Sequence, residues 1–272
     1  MEPVTTTLSC PTTTDKVCFE EKNGILRIIY TNVERLNALS EEMYHQITDA
    51  INYASNAKTI KMVFLSAKGK YFSTGNDLSA FATPRSMEEI IQAVKDGGKT
   101  MVNFIDAFIT CNKPIFAAIN GPCFGVCFTT LALCDLVVCS ESAFFVAPFA
   151  KVKQSPEGCS TYTFPRIFGN SLSSELLYLG KTLTAPEALK SHFVSAVIPD
   201  AEFEERAWKK AMEFSKIHPE TLRKFKVMIR GYDIDTLLEV NRKEADTLMN
   251  IWLSPGYLEM MKSIVGVKSK LQ

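Results

Sequence analysis

The sequence predicts an α/β fold in which a region of alternating strands and helices precedes an all-helical region. Residues 113–120 form an apolar run bounded by Pro and Asn-Gly, which is typical of a buried strand. Strand and helix patterns alternate up to about residue 200, and beyond it every pattern is helical. We therefore divide the chain into a flexible lead-in (1–15), an α/β core (16–200) and a C-terminal helical region (201–272).

The elements follow from short apolar runs and turn residues. Val17–Glu21 and Ile25–Tyr30 flank Lys22-Asn23-Gly24, which predicts a hairpin with a glycine turn. Ser40, followed by two glutamates, predicts a helix N-cap. Outside the central segment, the other predicted elements are the helix after Ser40 to about Ser55, strand Lys61–Ser66, helix Ser86–Cys111, helix Ser171–Leu179, helix Ala185–Ser191, strand Val194–Ile198, and helices Glu202–Lys216, Pro219–Arg230 and Asp235–Trp252.

The central segment combines buried elements with one isolated carboxylate. Its predicted elements are strand Lys113–Asn120, helix Gly125–Leu133, and strands Leu136–Cys139 and Ala143–Val146. Glu157 follows them, between Pro156 and Gly158. A carboxylate on a rigid turn beside apolar elements tends to have a raised pKa, which suits proton transfer near neutral pH. On spacing alone, a surface turn glutamate is the more frequent outcome.

Composition and charge exclude several classes of partner. The 272 residues are 46% apolar, enough for one sizeable core or two small ones. Lys and Arg total 30, as do Asp and Glu, so the formal net charge is zero. This balance removes the electrostatic case for binding nucleic acid or an anionic membrane surface.

Cysteine, histidine and hydropathy patterns argue against three further kinds of site. The 8 cysteines show no CxxC pair and no histidine ligand pattern, so we expect free thiols and no metal site. The 3 histidines are scattered, which disfavours histidine catalysis. Residues 114–139 are apolar enough to raise the question of a membrane span, but Asn120-Gly121-Pro122 and Asp135 interrupt them. A buried strand-turn-helix is the better prediction, and we expect no membrane span.

A polar glycine loop, residues 69–79, follows the strand predicted at Lys61–Ser66. A glycine followed by small polar residues can turn backbone N–H groups toward one point, as proteins do to bind an oxyanion or a phosphate. By itself the loop is a weak signal, because glycine turns between strands and helices are common.

Four segments give the chain its resemblance to a known family. They are Arg35-Leu36-Asn37-Ala38-Leu39, Phe72-Ser73-Thr74-Gly75-Asn76-Asp77-Leu78, Pro114 through Gly125 with Cys134-Asp135, and Gly180-Lys181-Thr182-Leu183-Thr184-Ala185-Pro186-Glu187-Ala188. In this order and spacing they resemble the crotonase (enoyl-CoA hydratase/isomerase) superfamily over roughly residues 16–265. The resemblance implies a spiral core of ββα units and a C-terminal all-α trimerisation region, with trimers sometimes paired into hexamers.

The same resemblance implies an acyl-CoA thioester as substrate and an enolate held by two backbone N–H groups. By motif position these donors are Asn76, just after Gly75, and Val126, just after Gly125. The residues expected to contact the substrate or its CoA are Arg35, Ala38, Ser73, Thr74, Gly75, Asn76, Asp77 and Gly125. No cofactor and no metal are expected, because CoA is part of the substrate.

The catalytic group expected from the resemblance is Glu157. Hydratases of this family use two glutamates, and the corresponding positions here are Thr129 and Phe149, which disfavours hydration. The segment Ser155–Ser160 instead resembles Δ3,Δ2-enoyl-CoA isomerases of the peroxisomal type, which act in the β-oxidation of unsaturated fatty acids. There Glu157 would move a proton from C2 to C4. The phenylalanines available for an apolar lining are Phe124, Phe128, Phe149 and Phe164, for which ordinary core is an equally good interpretation.

Two alternatives stay open. The chromodomain-Y-like group has crotonase-like domains that have lost the glutamate and act as binding or corepressor modules. It shares the patterns Cys159-Ser160 and Thr163-Phe164-Pro165, but its turn reads Ser-Pro-Asp-Gly, whereas this chain has Glu157. Another crotonase activity is the second alternative, either enoyl-CoA hydratase or dienoyl-CoA isomerase. The latter uses additional carboxylates, for which we find no candidates near the loops.

Two features depart from the family pattern. His192 stands where many relatives have glycine, and histidine can adopt a left-handed backbone that glycine favours. The chain ends Ser269-Lys270-Leu271-Gln272, one residue beyond a Ser-Lys-Leu peroxisomal signal, which is read only at a free C-terminus. We expect a peroxisomal location, with the mitochondrion as the alternative.

Overall fold

The computed structural model describes residues 10–77, 86–257 and 259. Its strands are β1 (Val17–Lys22), β2 (Ile25–Tyr30), β3 (Met62–Ala67), β4 (Ile115–Ile119), β5 (Cys123–Phe124), β6 (Leu136–Ser140), β7 (Phe144–Val146), β8 (Leu183–Thr184) and β9 (Ala196–Ile198). Its helices are α1 (Glu41–Asn56), α2 (Met87–Thr110), α3 (Val126–Thr129), α4 (Ser160–Leu179), α5 (Ala185–Lys190), α6 (Phe203–Ser215), α7 (Pro219–Arg230) and α8 (Ile234–Trp252). Leu78 and residues 269–272, which the sequence analysis singled out, lie outside the described residues.

The main sheet has the strand order β1-β2-β3-β4-β6-β9. β1 and β2 form the predicted antiparallel hairpin, with Val17 opposite Tyr30 and Lys22 opposite Ile25. From β2 to β9 the neighbouring strands are parallel. Parallel neighbours require crossover connections, which accounts for the alternation of strand and helix in this part of the sequence. A smaller sheet has the order β5-β7-β8.

Apolar side chains pack on both faces of the main sheet. Along β3, Val63 and Leu65 belong to the larger core cluster, which also takes in α1 and α2. Met62 and Phe64 point to a smaller cluster that is covered by α6. Burial on both faces explains why these strands read as continuous apolar runs rather than as alternating patterns.

One helix begins earlier than the sequence predicts. The pattern predicts a helix from Ser171 to Leu179, whereas α4 begins at Ser160 and contains a break at Gly169, where φ is 71° and ψ is 167°. The first half was missed because Pro165 lies inside it and Gly169 follows, and both residue types ordinarily indicate a helix end. The strand predicted from Val194 is also shorter, since β9 begins at Ala196.

The last long helix packs back onto the core. On α8, the Asn241 amide donates to the backbone carbonyl of Val102 at 3.1 Å and to Asp106 at 2.8 Å, both on α2. Arg242 forms an ion pair with Asp106 at 2.7 Å. These contacts bring α8 beside the start of α4. In the part of the chain that is described, no helix is both long and apolar enough to span a membrane.

Candidate active site

Two glycines bring two backbone segments into close contact at the carboxyl side of β5. A Cβ atom on Gly75 would lie 3.2 Å from the carbonyl oxygen of Phe124, and one on Gly125 would lie 3.9 Å from the Cα atom of Gly75. Both glycines have positive φ, 84° at Gly75 and 54° at Gly125. Because such backbone favours glycine, this approach depends on both residues. The residues that follow them, Asn76 and Val126, are the two predicted backbone donors.

The Asn76 amide lies in a loop that its neighbours fix on both sides. The backbone of Leu39 accepts from the Asp77 amide at 3.0 Å and donates to the Gly75 carbonyl at 2.8 Å. The hydroxyl of Ser73 accepts from the Gly75 amide at 3.0 Å and donates to the Asn37 carbonyl at 2.7 Å. Among the described residues, no group accepts from the Asn76 amide.

The Val126 amide is the first of α3, where an N–H group has no acceptor within its own helix. The preceding amide, that of Gly125, donates to the carbonyl of Val146 at 2.9 Å, and the described residues contain no acceptor for Val126 itself. Two amides without an acceptor, on segments that touch at their glycines, are available to hydrogen-bond to an oxyanion. The structure therefore brings the two predicted donors onto neighbouring segments.

Tyr44 holds the Asn76 side chain through a hydrogen bond. Its hydroxyl donates a hydrogen bond to Oδ1 of Asn76. Tyr44 is buried and packs edge-on against Phe104, with ring centroids 4.8 Å apart. Burial, and to a lesser extent the charge of Glu157, raises the pKa of Tyr44 well above its ordinary value, so its hydroxyl stays a neutral donor.

Glu157 is buried, with only 1% of its surface exposed. Burial, and secondly the negative charge of Glu244, raises the pKa of Glu157 from 4.5 to about 8. Oε2 of Glu157 has no hydrogen-bond partner in the described structure. A buried carboxyl group with a free oxygen and a pKa near neutrality can both accept and return a proton.

The turn that carries Glu157 is fixed against α3. Gly158 has a φ of 69°, and a Cβ atom there would lie 2.3 Å from Oγ1 of Thr129. The hydroxyl of Ser160 donates to the Glu157 carbonyl at 2.7 Å. The charge of Glu157 also raises the pKa of Cys127 on α3, although burial is the larger cause. Glu157 thus lies beside the helix that begins with the Val126 donor.

A second buried carboxylate, Glu244 on α8, approaches the same turn. Its Oε2 accepts from the Cys159 amide at 2.7 Å, and its Oε1 accepts from the Thr161 amide at 2.9 Å and the Thr161 hydroxyl at 2.6 Å. The sequence reasoning found no further carboxylate near the loops, and this was wrong. Glu244 lies on α8, which is distant in sequence from the Glu157 turn but packs against it. In the sequence it is one glutamate on an amphipathic helix, and this pattern does not distinguish it from surface glutamates.

The positions that correspond to the hydratase glutamates hold no ionisable group. Thr129 is buried, and its hydroxyl donates to the Val126 carbonyl at 3.2 Å. Phe149 is also buried. Of the predicted apolar lining, Phe128 and Phe164 are core residues whose ring centroids lie 5.0 Å apart. Phe124 is half-buried and packs against Tyr71 and Phe144.

Apart from Gly125, the predicted substrate-contact residues lie together on two adjacent segments. The Thr74 amide donates to the Leu36 carbonyl at 3.2 Å, which joins residues 73–77 to the segment that contains Arg35 and Ala38. Arg35 forms an ion pair with Asp77 at 3.3 Å. Ser73 is fully buried and lies beneath this surface.

Other expectations concern metal ions, thiols and His192. All 8 cysteines are free. Within residues 10–77, 86–257 and 259, no group of three or more His, Cys, Asp or Glu side chains could hold a metal ion. His192 has a φ of 60°, the left-handed backbone considered from the sequence.

Comparison with known proteins finds a matching family model and several similar proteins. The family model for enoyl-CoA hydratase/isomerase matches residues 20–252. Human enoyl-CoA delta isomerase 2 is 38% identical over 92% of this chain and 63% of its own length. Mouse peroxisomal enoyl-CoA delta isomerase 3 is 34% identical over 92% of this chain and 78% of its own length. Mouse chromodomain Y-like protein 2 is 35% identical over 85% of this chain and 46% of its own length.

Solved structures share the fold. An enoyl-CoA hydratase/isomerase from Pseudoalteromonas atlantica superposes with a TM-score of 0.83 at 27% identity, covering 93% of this chain and 97% of that one. The chain spans 63% of the human relative's length, so part of that relative has no counterpart in this sequence.

Proposed function

The chain belongs to the enoyl-CoA hydratase/isomerase family, and we propose that it is a Δ3,Δ2-enoyl-CoA isomerase that converts 3-enoyl-CoA into trans-2-enoyl-CoA. The observation that supports this proposal most directly is Glu157, a buried carboxyl group with a pKa raised to about 8 and an oxygen that has no hydrogen-bond partner among the described residues. The names of the human and mouse relatives agree with it. The reaction belongs to the β-oxidation of unsaturated fatty acids.

In the proposed reaction the amides of Asn76 and Val126 hydrogen-bond to the thioester oxygen. Glu157, as the carboxylate, removes a proton from C2, and the electron pair delocalises into a dienolate. The resulting carboxylic acid then gives that proton to C4, so that the double bond moves into conjugation and the enzyme returns to its starting state. Each backbone donor of this kind contributes about 2.7–4 kcal/mol of transition-state stabilisation. One group can serve both carbons if water is excluded, and the burial of Glu157 supports this.

Two competing functions are less well supported. Hydration needs a second acid or base that activates water, and Thr129 and Phe149 cannot provide one. The second competing function is a binding module without catalysis. The similarity to the chromodomain Y-like relative, which covers 46% of that relative's length, is the observation in its support. The presence of Glu157 in an environment that raises its pKa favours the isomerase.

We also propose that the protein forms homotrimers, or hexamers from paired trimers, and works in the peroxisome. The name of the mouse peroxisomal relative supports the location. An exposed apolar face on α7, formed by Phe225, Met228 and Ile229, supports self-association. Exposed faces of this kind are typical of subunit interfaces.

The test of the proposed function is turnover by the wild type and by Glu157→Gln. Each protein is offered a trans-3-enoyl-CoA while the conjugated thioester is followed, and a trans-2-enoyl-CoA serves as the control for hydration. We expect isomerisation by the wild type and a loss of about 10²–10⁴-fold in the variant. Hydration without isomerisation would exclude the proposed site, and thioester binding without any turnover would favour the binding module.

A further inference from the structure

We propose that Glu244 is a positioning residue for Glu157: its carboxylate holds the turn that carries the base and sets a second negative charge beside it. This inference rests on the proposed function of Glu157 as a proton shuttle. Glu244 is 6% exposed and lies on α8, which follows Glu157 in the chain by more than four elements. It does not contact the substrate in the proposed reaction, so its effect passes through Glu157.

The three hydrogen bonds to Glu244 act as a helix cap. The amides at the start of α4 have no acceptor within that helix, and the side chain of its cap residue, Cys159, accepts from none of them. Cys159 also has a left-handed backbone, with a φ of 60°. Glu244 accepts from the amides of Cys159 and Thr161 at 2.7 and 2.9 Å, and so caps α4 from a neighbouring helix. An anion there is further stabilised by the positive end of the helix dipole.

Hydrogen bonding decides which of the two carboxyl groups carries the proton. Burial raises the pKa of Glu244 above its ordinary value, and the hydrogen bonds that its carboxylate accepts from three donors oppose that rise. Oε2 of Glu157 has no such partner in the described structure. Because only Glu244 has donors that stabilise its charged form, we assign the negative charge to Glu244 and, below about pH 8, the shared proton to Glu157.

The other groups around the turn do not supply that charge. Within the described residues, the ionisable side chains that face Glu157 or Cys159 from the elements packed around them are Glu244 itself, Tyr44 on α1, Asp106 on α2, Cys127 on α3, Arg242 on α8, and Tyr257. The pKa values of Tyr44, Cys127 and Tyr257 are raised, so these groups are neutral at neutral pH. Asp106 and Arg242 neutralise one another in an ion pair at 2.7 Å. Glu244 is thus the unbalanced charge beside the base.

The experiment measures the protonation of Glu157 directly and through catalysis. The pH midpoint of the Glu157 titration is measured by carbon NMR on protein labelled at the glutamate side-chain carboxyl carbon. The resonance that is missing from the spectrum of Glu157→Gln is assigned to Glu157. In parallel, kcat/KM is measured across the same pH range. Three variants are compared with the wild type: Glu244→Gln, Glu244→Asp and the control Glu239→Gln. Glu239 lies on the same helix but is exposed and pairs with Lys243 at the surface.

We expect Glu244→Gln to lower the titration midpoint of Glu157 and to move the acid limb of kcat/KM to lower pH by the same amount. The midpoint should fall by less than the interval between 8 and 4.5, because burial is the larger cause of the raised pKa. When the limb moves by one pH unit, kcat/KM at a fixed pH on that limb rises about tenfold relative to the plateau of the variant. Glu239→Gln should leave the profile unchanged.

Glu244→Asp keeps the charge but shortens the side chain, so it cannot reach both amides. We expect its midpoint to stay at the wild-type value while kcat falls, and this variant decides the question if Glu244→Gln does not fold. The inference is overturned if a folded Glu244→Gln leaves the midpoint unchanged, or if Glu244→Asp has the kcat of the wild type. Because the NMR titration needs no turnover, a lowered midpoint in a protein without isomerase activity would reject the proposed function and keep the role of Glu244.

Discussion

The protonation of Glu157 links the candidate site to the stability of the whole fold. Its ordinary pKa is 4.5, and in the folded protein burial and the Glu244 charge raise this pKa to about 8. Between these values the folded state binds more protons than the unfolded state, so the free energy of unfolding falls as the pH rises. This contribution of Glu157 to stability is fully present below pH 4.5, is lost as the pH rises to about 8 and stays lost above that pH.

Glu157→Gln should remove this pH dependence, because the amide is neutral at every pH. We expect the two proteins to be about equally stable below pH 4.5. Between pH 4.5 and about 8 the wild type should become less stable relative to the variant, and the difference should stay constant at higher pH. The interval corresponds to at most about 5 kcal/mol at 1.36 kcal/mol per pH unit. Denaturant unfolding at a series of pH values measures this difference, and parallel curves for the two proteins would contradict the expectation.

At the scale of elements, the donor geometry depends on the contact between the Gly75 loop and the Gly125 turn. Gly75→Ala places a Cβ atom 3.2 Å from the Phe124 carbonyl on a backbone with a φ of 84°. We expect the strained backbone to lower the free energy of unfolding by about 1–3 kcal/mol. We also expect kcat of the folded variant to fall, because the Asn76 amide is displaced.

Gly97→Ala is the matched control for this change. Gly97 lies in α2 without a positive φ, and a Cβ atom there would meet only Trp252, at 3.9 Å. Alanine is the better helix former, so this variant should be neutral or slightly more stable and fully active. Thermal unfolding and steady-state kinetics separate the two effects, and a Gly75→Ala protein with wild-type kcat would argue against the Asn76 donor.

The elements themselves were largely predictable because their signals are local. The β1–β2 hairpin, the Ser40 cap and α2 follow from turn residues and apolar spacing within a few positions. The first half of α4 was missed, because Pro165 and Gly169 ordinarily end helices and only tertiary contacts reveal that this one continues.

The residues of the candidate site could be predicted only where they stand in a recognisable sequence motif. Gly75, Gly125 and Glu157 stand in short segments that resemble family motifs. Glu244 has no such segment, because its partners, the amides of Cys159 and Thr161, lie more than 80 positions away. A contact of this kind is determined by the packing of α8 on α2, which local patterns do not encode.

At the scale of the molecule, the exposed face of α7 predicts an assembly. Met228 and Ile229 are 69% and 72% exposed, and Phe225 beside them is 58% exposed. Met228→Glu places a charge on this face and should release monomers if the face is a subunit interface. Lys209→Glu, on the exposed side of α6, adds a negative charge elsewhere and should leave the molar mass unchanged. Light scattering after size-exclusion chromatography gives the masses, and an unchanged mass for Met228→Glu would exclude this face.

The helix that caps the Glu157 turn is the last long one in the described chain. The proposed oxyanion donors, the proposed base and the carboxylate that caps its turn come from the Gly75 loop, α3, the Glu157 turn and α8, which are separated by long stretches of sequence. Loops of this length close late in folding, after local helices and hairpins have formed. We therefore expect the candidate site to be assembled at the end of folding. Turnover would then report on the native state alone, whereas compactness and helix content would also count chains in which the site has not yet formed.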